Sequence, residues 1–269
     1  MKKKFFYKLH INLVLLFLYL PIFIVILFAF NESKSRANFT SFSLKWFLNL
    51  VKNKIVLEAF FNSLILATTA AIIATIVGLM FALQISKLNF KKQNLFLNLN
   101  YFPIVNSDVT IGISLMIILQ LFSNLIKQNM GFYTVLIAHI TICMPYVILT
   151  IMPQINQLNL NQLNAALDLG CTPTTAFYKV FLPQIMTELF SSFMIAFAIS
   201  FDDFTISYFT AGSSFQTLPI LIYSMVKKRI TPTINALFAI IFLLALLILI
   251  LFNLLKFKKS KKGKLYEKF

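Results

Sequence analysis

The chain has 269 residues, of which 59% are hydrophobic and 31 are phenylalanine, and its formal net charge is +16. Soluble domains average nearer half apolar residues, so this excess indicates lipid as the solvent and excludes an ordinary soluble fold. The basic residues cluster at the chain ends and between apolar runs. That distribution is typical of membrane orientation and argues against a nucleic-acid-binding face.

Six apolar runs are long enough to cross a bilayer, which takes about 20 residues in helical conformation. They cover residues 11–30, 62–86, 101–124, 132–152, 185–209 and 233–256. The sequence therefore predicts an all-α integral membrane protein with about six transmembrane helices in a single domain over residues 1–269.

The first two runs and the segment between them carry local signals. The first run follows a basic head but is too long for a signal peptide and lacks an A-x-A pattern, so we expect a retained helix with a kink at Pro21. The segment SLKWFLNLVKN, in the outer loop 31–61, predicts a short interfacial helix anchored by Trp46 and Phe47. The second run is rich in Ala and Thr and contains Gly78, which favours close packing against other helices.

The distribution of lysine and arginine also predicts the orientation. Most basic residues near the ends of the runs fall inside when the N-terminus is inside, including those at the N-terminal head, at 87–92 and in the tail. We therefore expect both termini to be cytoplasmic.

Three aspartates interrupt the apolar runs. Asp108 lies in the third run, and Asp202 and Asp203 lie together in AISFDDFTISYF of the fifth run, beside Phe204 and Tyr208. An ionised Asp near the bilayer centre costs about 2.5–3.5 kcal/mol, so such residues face a water-filled path or a cation more often than lipid. Carboxylates interleaved with aromatic rings suit an organic cation.

The predicted helices place these acids at different depths. A third helix that starts near residue 101 puts Asp108 about 10 Å along its length as a buried acid. Neighbours on a helix diverge by about 100°, so Asp202 and Asp203 cannot face one point equally. We favour Asp203 for the path and propose that the acids act as successive cation stations.

The sequence of the longest inner loop, residues 153–184, predicts two short helices joined by a tight turn. Gly170 is placed to end a short helix in a left-handed cap. Thr172 and Pro173 follow as the N-cap and first position of a second short helix. Pro183 marks the entry to the fifth span.

The segment NAALDLGCTPTTAFYKVFLP in this loop resembles the EAA motif of ABC-importer permeases. The residues that correspond to the motif are Asn164, Ala165, Ala166, Gly170, Val180, Leu182 and Pro183. Asn164 stands where the family usually has Glu, and Val180 replaces Ile. The resemblance implies that the loop docks into a cleft of a cytoplasmic ATPase subunit and couples ATP-driven closure to the membrane helices.

The run SFDDFTISYFTAGSSFQTLPILIYSMVKKRITPTINAL closely resembles the spermidine/putrescine permeases of the PotC type. This likeness implies the type I ABC-importer permease fold in a bacterial cell membrane and polyamine import as the function. It also implies an ABC ATPase dimer that binds ATP and Mg²⁺, a second related permease and an extracellular polyamine-binding protein as partners. The chain itself is expected to bind no cofactor.

Other functions find less support in the residues. There is no G-x-x-x-x-G-K-[ST] motif, no metal-ligand spacing and no catalytic motif, and His10 and His139 are interpreted as interface or packing residues. The sequence thus indicates a transport subunit rather than an enzyme. The alternatives are a permease for another small cationic solute, such as thiamine or Fe(III), and an ATPase-independent channel or secondary transporter.

Overall fold

The computed structural model describes residues 2–33, 38–158, 160–228, 232–243, 246–247 and 250. These residues are mostly helical. The helices are α1 (Lys2–Ala29), α2 (Lys45–Lys52), α3 (Lys54–Ser86), α4 (Phe90–Val105), α5 (Asp108–Ile126), α6 (Phe132–Gln157), α7 (Leu160–Asp168), α8 (Pro173–Ala176), α9 (Leu182–Asp202), α10 (Thr205–Thr210), α11 (Leu218–Lys228) and α12 (Pro232–Leu243). A π-helical turn, Phe177–Phe181, joins α8 to α9.

Within the described residues, five helical segments are long and apolar enough to cross a membrane. They are His10–Ala29, Lys54–Ser86, Asp108–Ile126, Phe132–Gln157 and Pro173–Asp202. Helix α12 is a shorter apolar helix at the start of the predicted sixth span, which otherwise lies largely outside the described residues, as do the tail bases. The prediction of an all-α membrane protein is confirmed.

The chain divides into two compact units, Glu58–Leu221 and Met1–Leu57 with Ile222–Phe269. In the first unit, fully buried alanines of α3, including Ala71 and Ala74, share one core with α6 and α9. A Cβ added to Gly78 would lie 2.6 Å from Cγ1 of Val147 on α6. The small residues of α3 thus allow close helix packing, as the sequence predicted.

In the other unit, the predicted helix of the outer loop is present as α2 but Trp46 has a different role. Its side chain is only 6% exposed, and its Nε1 donates a hydrogen bond of 2.7 Å to the carbonyl oxygen of Asn31. Trp46 is therefore a buried residue of a folded segment rather than an exposed interface anchor. Phe47 packs against Phe30, with ring centroids 4.9 Å apart.

The fifth span is not one helix over 185–209. Helix α9 ends at Asp202, Asp203 is extended (φ −67°, ψ 120°), and the short helix α10 begins at Thr205. The physical cause is the Asp203 carboxylate, which accepts hydrogen bonds from the N–H groups of Ile206 (3.3 Å) and Ser207 (2.7 Å). An aspartate that bonds to backbone N–H groups ahead of it starts a new helix in competition with continuing the old one.

The third span also differs from the prediction. Helix α4 ends at Val105, Asn106 and Ser107 are extended, and α5 begins at Asp108. Pro103 lies in the last turn of α4, and the Ser-Asp pair that follows is a typical helix start. Asp108 is therefore the first residue of a helix, and its side chain is exposed instead of buried within a continuous span.

The second short helix of the inner loop does not stand apart from the fifth span. The segment from Pro173 to Asp202 is continuous, because the π-helical turn links α8 directly to α9. Pro183 lies just after this turn, where the N–H of Leu182 bonds to the carbonyl of Phe177 in the wider π register. Pro183 thus lies at the start of α9, as predicted for the entry to the fifth span, although the helix continues back through the π-helical turn to α8.

Candidate functional site

Two helix breaks face one cavity in the unit Glu58–Leu221. The cavity has a volume of about 510 Å³. Its lining residues are Pro103, Asp108, Ile111, Ile142, Tyr146, Ala198, Ile199, Asp202, Asp203, Phe204, Thr205 and Ile206. Within a membrane, backbone that is not helical is tolerated where it lines a cavity or is covered by protein, and the break at Asp203 and Phe204 meets that condition because both residues line the cavity.

The cavity brings together three acids, because Asp108 lies more than ninety residues before the adjacent pair Asp202 and Asp203 in the sequence but lines the same space. Asp108 enters from the first turn of α5, where the positive end of the helix dipole favours a carboxylate. Asp202 is the last residue of α9, where the dipole is negative. Asp202 and the C-terminal end of α9 therefore add up to a negative surface, which suits a cation.

Asp203 lines the same cavity but its carboxylate is already bound to the protein. Its side chain is 9% exposed, its two oxygens accept the N–H groups of Ile206 and Ser207, and Oδ2 lies 3.4 Å from Nε2 of His139. The negative charge of Asp203 is therefore already stabilised by the N–H groups in the first turn of α10. The geometry therefore favours Asp202 over Asp203 as the carboxylate that meets a cation, contrary to the preference drawn from sequence.

Aromatic side chains accompany the acids, although not all of the predicted ones do. Phe204 lines the cavity, whereas Tyr208 packs against Phe204 with ring centroids 5.4 Å apart and is not part of the lining. Tyr146 of α6 lines the cavity and was not predicted. It follows His139 by two helical turns, so helical periodicity places both on one face of α6, which is the signal that could have found it.

His139 belongs to a buried polar cluster that the sequence pattern did not reveal. Its Nδ1 hydrogen-bonds to Oγ of Ser200 (2.6 Å), and its Nε2 hydrogen-bonds to Oγ of Ser207 (2.9 Å). Serine, histidine and aspartate thus come together, but Ser200 and Ser207 are buried and open to no substrate. The cluster fits a packing role for His139 and offers no accessible nucleophile.

The residues that resemble the EAA motif occupy a well-defined turn. Gly170 has φ +86°. The N–H of Cys171 donates to the carbonyl oxygen of Ala166 (3.1 Å), and the N–H of Gly170 donates to the carbonyl oxygen of Leu167 (2.9 Å). This pair of bonds is the Schellman motif that ends a helix. Thr172 then caps α8 by accepting a bond from the N–H of Thr175 (3.3 Å).

Exposure divides the same residues into two groups. Asn164, Ala165, Gly170 and Pro183 are exposed, and Ala166, Val180 and Leu182 are half-buried. Leu182 packs against the core that α3, α6 and α9 share. The segment thus presents an exposed turn and helix on one side and connects on the other side to the membrane helices.

Comparison with known proteins identifies the family. Residues 74–259 match the model of the binding-protein-dependent transport system inner membrane component. The chain is 32% identical over 229 residues to the spermidine/putrescine transport system permease protein PotC of Escherichia coli K12, covering 85% of each chain. It is 33% identical over 228 residues to the putrescine transport system permease protein PotI of the same strain, covering 84% of this chain and 81% of that one.

A more distant relative and a solved structure extend the likeness. The spermidine/putrescine transport system permease protein PotC homolog of Mycoplasma genitalium is 28% identical over 228 residues, covering 80% of this chain and 78% of that one. The fold is similar to a chain of the crystal structure of a bacterial ABC transporter that imports the acidic polysaccharide alginate. The TM-score is 0.66 at 16% identity, with 93% and 94% of the two chains covered. The chain belongs to the family of binding-protein-dependent transport system inner membrane components, the multi-pass permease subunits of ABC transporters.

Proposed function

We propose that this chain is a permease subunit of an ATP-driven importer of the polyamines spermidine and putrescine. The relatives named for polyamine transport support the substrate class, because they match over more than four fifths of the chain. The permease would form half of the path and carry out no chemistry itself.

One observation carries the proposal: two helix breaks bring Asp108 and Asp202 to one cavity that also contains Tyr146 and Phe204. A polyamine is a long, flexible polycation that loses its water when it enters a path through the membrane. Carboxylates replace that water around ammonium groups, and aromatic faces attract the cation through their quadrupole. This combination supports a polyamine over a neutral or anionic solute.

The remaining parts of the importer are supplied by partners. An ABC ATPase dimer would hold ATP and Mg²⁺ and receive the exposed turn around Gly170 in its cleft. A second related permease would complete the path, and an extracellular polyamine-binding protein would deliver the substrate to the outer loops. The chain would lie in the bacterial cell membrane with both termini in the cytoplasm.

The test is affinity purification of the chain from its native membrane in mild detergent, with mass spectrometry of the proteins that accompany it. We expect an ATPase, a second permease and an external binding protein, and we expect the last of these to bind labelled spermidine or putrescine. A chain that purifies alone, or with a binding protein that retains another solute, would contradict the proposal.

The turn at Gly170 gives a prediction for ATPase coupling. No neighbouring atom of the described residues lies within 4 Å of a Cβ added there, so Gly170→Ala introduces backbone strain without a clash. The left-handed conformation costs an alanine about 1–2 kcal/mol. Gly170→Ala should reduce the ATPase that co-purifies with the chain and the uptake that depends on it.

Gly170→Asn is the matched control, because asparagine adopts the left-handed conformation more readily than alanine. It should retain more of the bound ATPase. Equal co-purification of the ATPase with Gly170→Ala and with the parent chain would show that the turn does not matter for docking.

A further inference from the structure

His139 of α6 lies beside the break in the fifth span. The two arms of this span are α9, which precedes the break, and α10, which follows it. Its Nδ1 bonds to Ser200 in the last turns of α9, and its Nε2 bonds to Ser207 in α10. His139 has no exposed surface, and Ser200 and Ser207 are buried with it. One side chain therefore hydrogen-bonds to the helix before the break and to the helix after it.

Two other hydrogen bonds of α6 reach one arm each. Cys143 donates a hydrogen bond from Sγ to the carbonyl of Ala196 in α9 (3.4 Å). Thr134 donates from Oγ1 to the carbonyl of Thr210 at the end of α10 (2.7 Å). Residues at three positions along α6 thus hydrogen-bond to the helices on either side of the break. Of these three residues, His139 is the one that bonds to both arms.

The break needs such support because it interrupts a helix. Asp203 accepts hydrogen bonds from the N–H groups of Ile206 and Ser207, but these two bonds lie within the break and connect neither α9 nor α10 to α6. A buried side chain with two bonding partners restricts the angle between α9 and α10, and the Asp203 carboxylate lies within 3.4 Å of the same ring. The direction of Asp202, the last residue of α9, depends on the same restraint.

We propose that His139 is a positioning residue that fixes the break in the fifth span through Ser200 and Ser207 and so keeps Asp202 directed into the cavity. The proposal rests on the proposed function for its link to transport. It assigns His139 no contact with the substrate. The hydrogen bonds of the imidazole, and not its bulk alone, are what the role requires.

The first measurement follows the break directly. Spin labels at Ile195→Cys on α9 and Tyr208→Cys on α10, both at exposed positions, report the distance across it in the purified complex. Cys171→Ser removes the exposed native thiol. The parent should give a narrow distance distribution, His139→Phe a wider one, and His139→Gln, which retains a donor and an acceptor, a distribution close to the parent.

The second measurement is polyamine uptake without the labels. His139→Phe should raise KM about tenfold, consistent with the loss of buried hydrogen bonds, while the amount of assembled complex and the bound ATPase stay near the parent level. His139→Gln should restore most of the affinity. His10→Phe, a histidine outside this cluster, is the control and should leave KM unchanged.

Two results would overturn the proposal: a parent-like distribution and KM in His139→Phe, or equal damage in His139→Phe and His139→Gln. If His139→Phe does not assemble, the double variant Ser200→Ala with Ser207→Ala removes the same two bonds and should widen the distribution in its place. If the parent takes up no polyamine, the proposed function fails, whereas the spin-label distances still decide the role of His139.

Discussion

Asp202→Asn is expected to raise the KM for polyamine uptake by about 10- to 100-fold while the complex assembles as in the parent. A hydrogen bond to a charged group contributes about 1.5–3 kcal/mol, and each 1.4 kcal/mol changes affinity about tenfold. Asp202 is exposed to the cavity at the negative end of α9, and among the described residues its carboxylate has no hydrogen bond or ion pair that the amide would lose. The measurement is the concentration dependence of labelled spermidine and putrescine uptake in cells that lack other polyamine importers.

Glu188→Gln is the matched control for this experiment. It removes a carboxylate from the same helix, but Glu188 does not line the cavity. Its uptake should match the parent. If Asp202→Asn and Glu188→Gln behaved alike, Asp202 would have no special relation to the cation, and Asp108 would become the residue to test next.

Asp203→Ala is expected to act on the fold and not on affinity. The substitution leaves the N–H groups of Ile206 and Ser207 without their acceptor and removes the carboxylate beside His139. Each unsatisfied buried donor costs about 1–3 kcal/mol, so the loss of two amounts to about 2–6 kcal/mol. We expect a strong drop in the amount of intact complex recovered by size-exclusion chromatography and in its melting temperature.

The asparagine variant separates the two roles of Asp203. Asp203→Asn retains one oxygen acceptor and should therefore recover more complex than Asp203→Ala. If Asp203→Ala assembled normally but transported with a raised KM, Asp203 would be a path residue after all, as the sequence pattern suggested. The contrast between Asp202→Asn and Asp203→Ala is thus a direct test of which carboxylate meets the cation.

The membrane class, the family resemblance and the turn of the inner loop were all accessible from sequence. Apolar runs of about 20 residues identify spans because the bilayer permits few other structures. The left-handed Gly170 and the cap by Thr172 were predicted correctly because they depend on residues within six positions of one another. Local hydrogen bonds of this kind are set by residue type and need no tertiary information.

The two helix breaks were not predicted, although each has a local signal. The Ser-Asp pair at residues 107–108 and the aspartate at 203 are typical helix starts, but the apolar runs around them are long enough to read as continuous spans. Hydropathy averages over these interruptions. The competition between continuing a helix and starting a new one depends on where the freed backbone groups find partners, which hydropathy does not measure.

Apolar runs and short-range caps were thus enough to predict a multi-pass membrane protein with a structured inner loop, because the bilayer and neighbouring residues dictate both, whereas the permease family followed from the resemblance of the EAA-like and PotC-like segments. The arrangement of the acids was decided by contacts between distant segments. His139 lies 61 and 68 residues from Ser200 and Ser207, and its bonds to them help hold the break that separates Asp202 from Asp203. Two adjacent, chemically identical carboxylates have different surroundings: Asp203 caps a helix beside a buried histidine, whereas Asp202 is exposed in the cavity that both residues line.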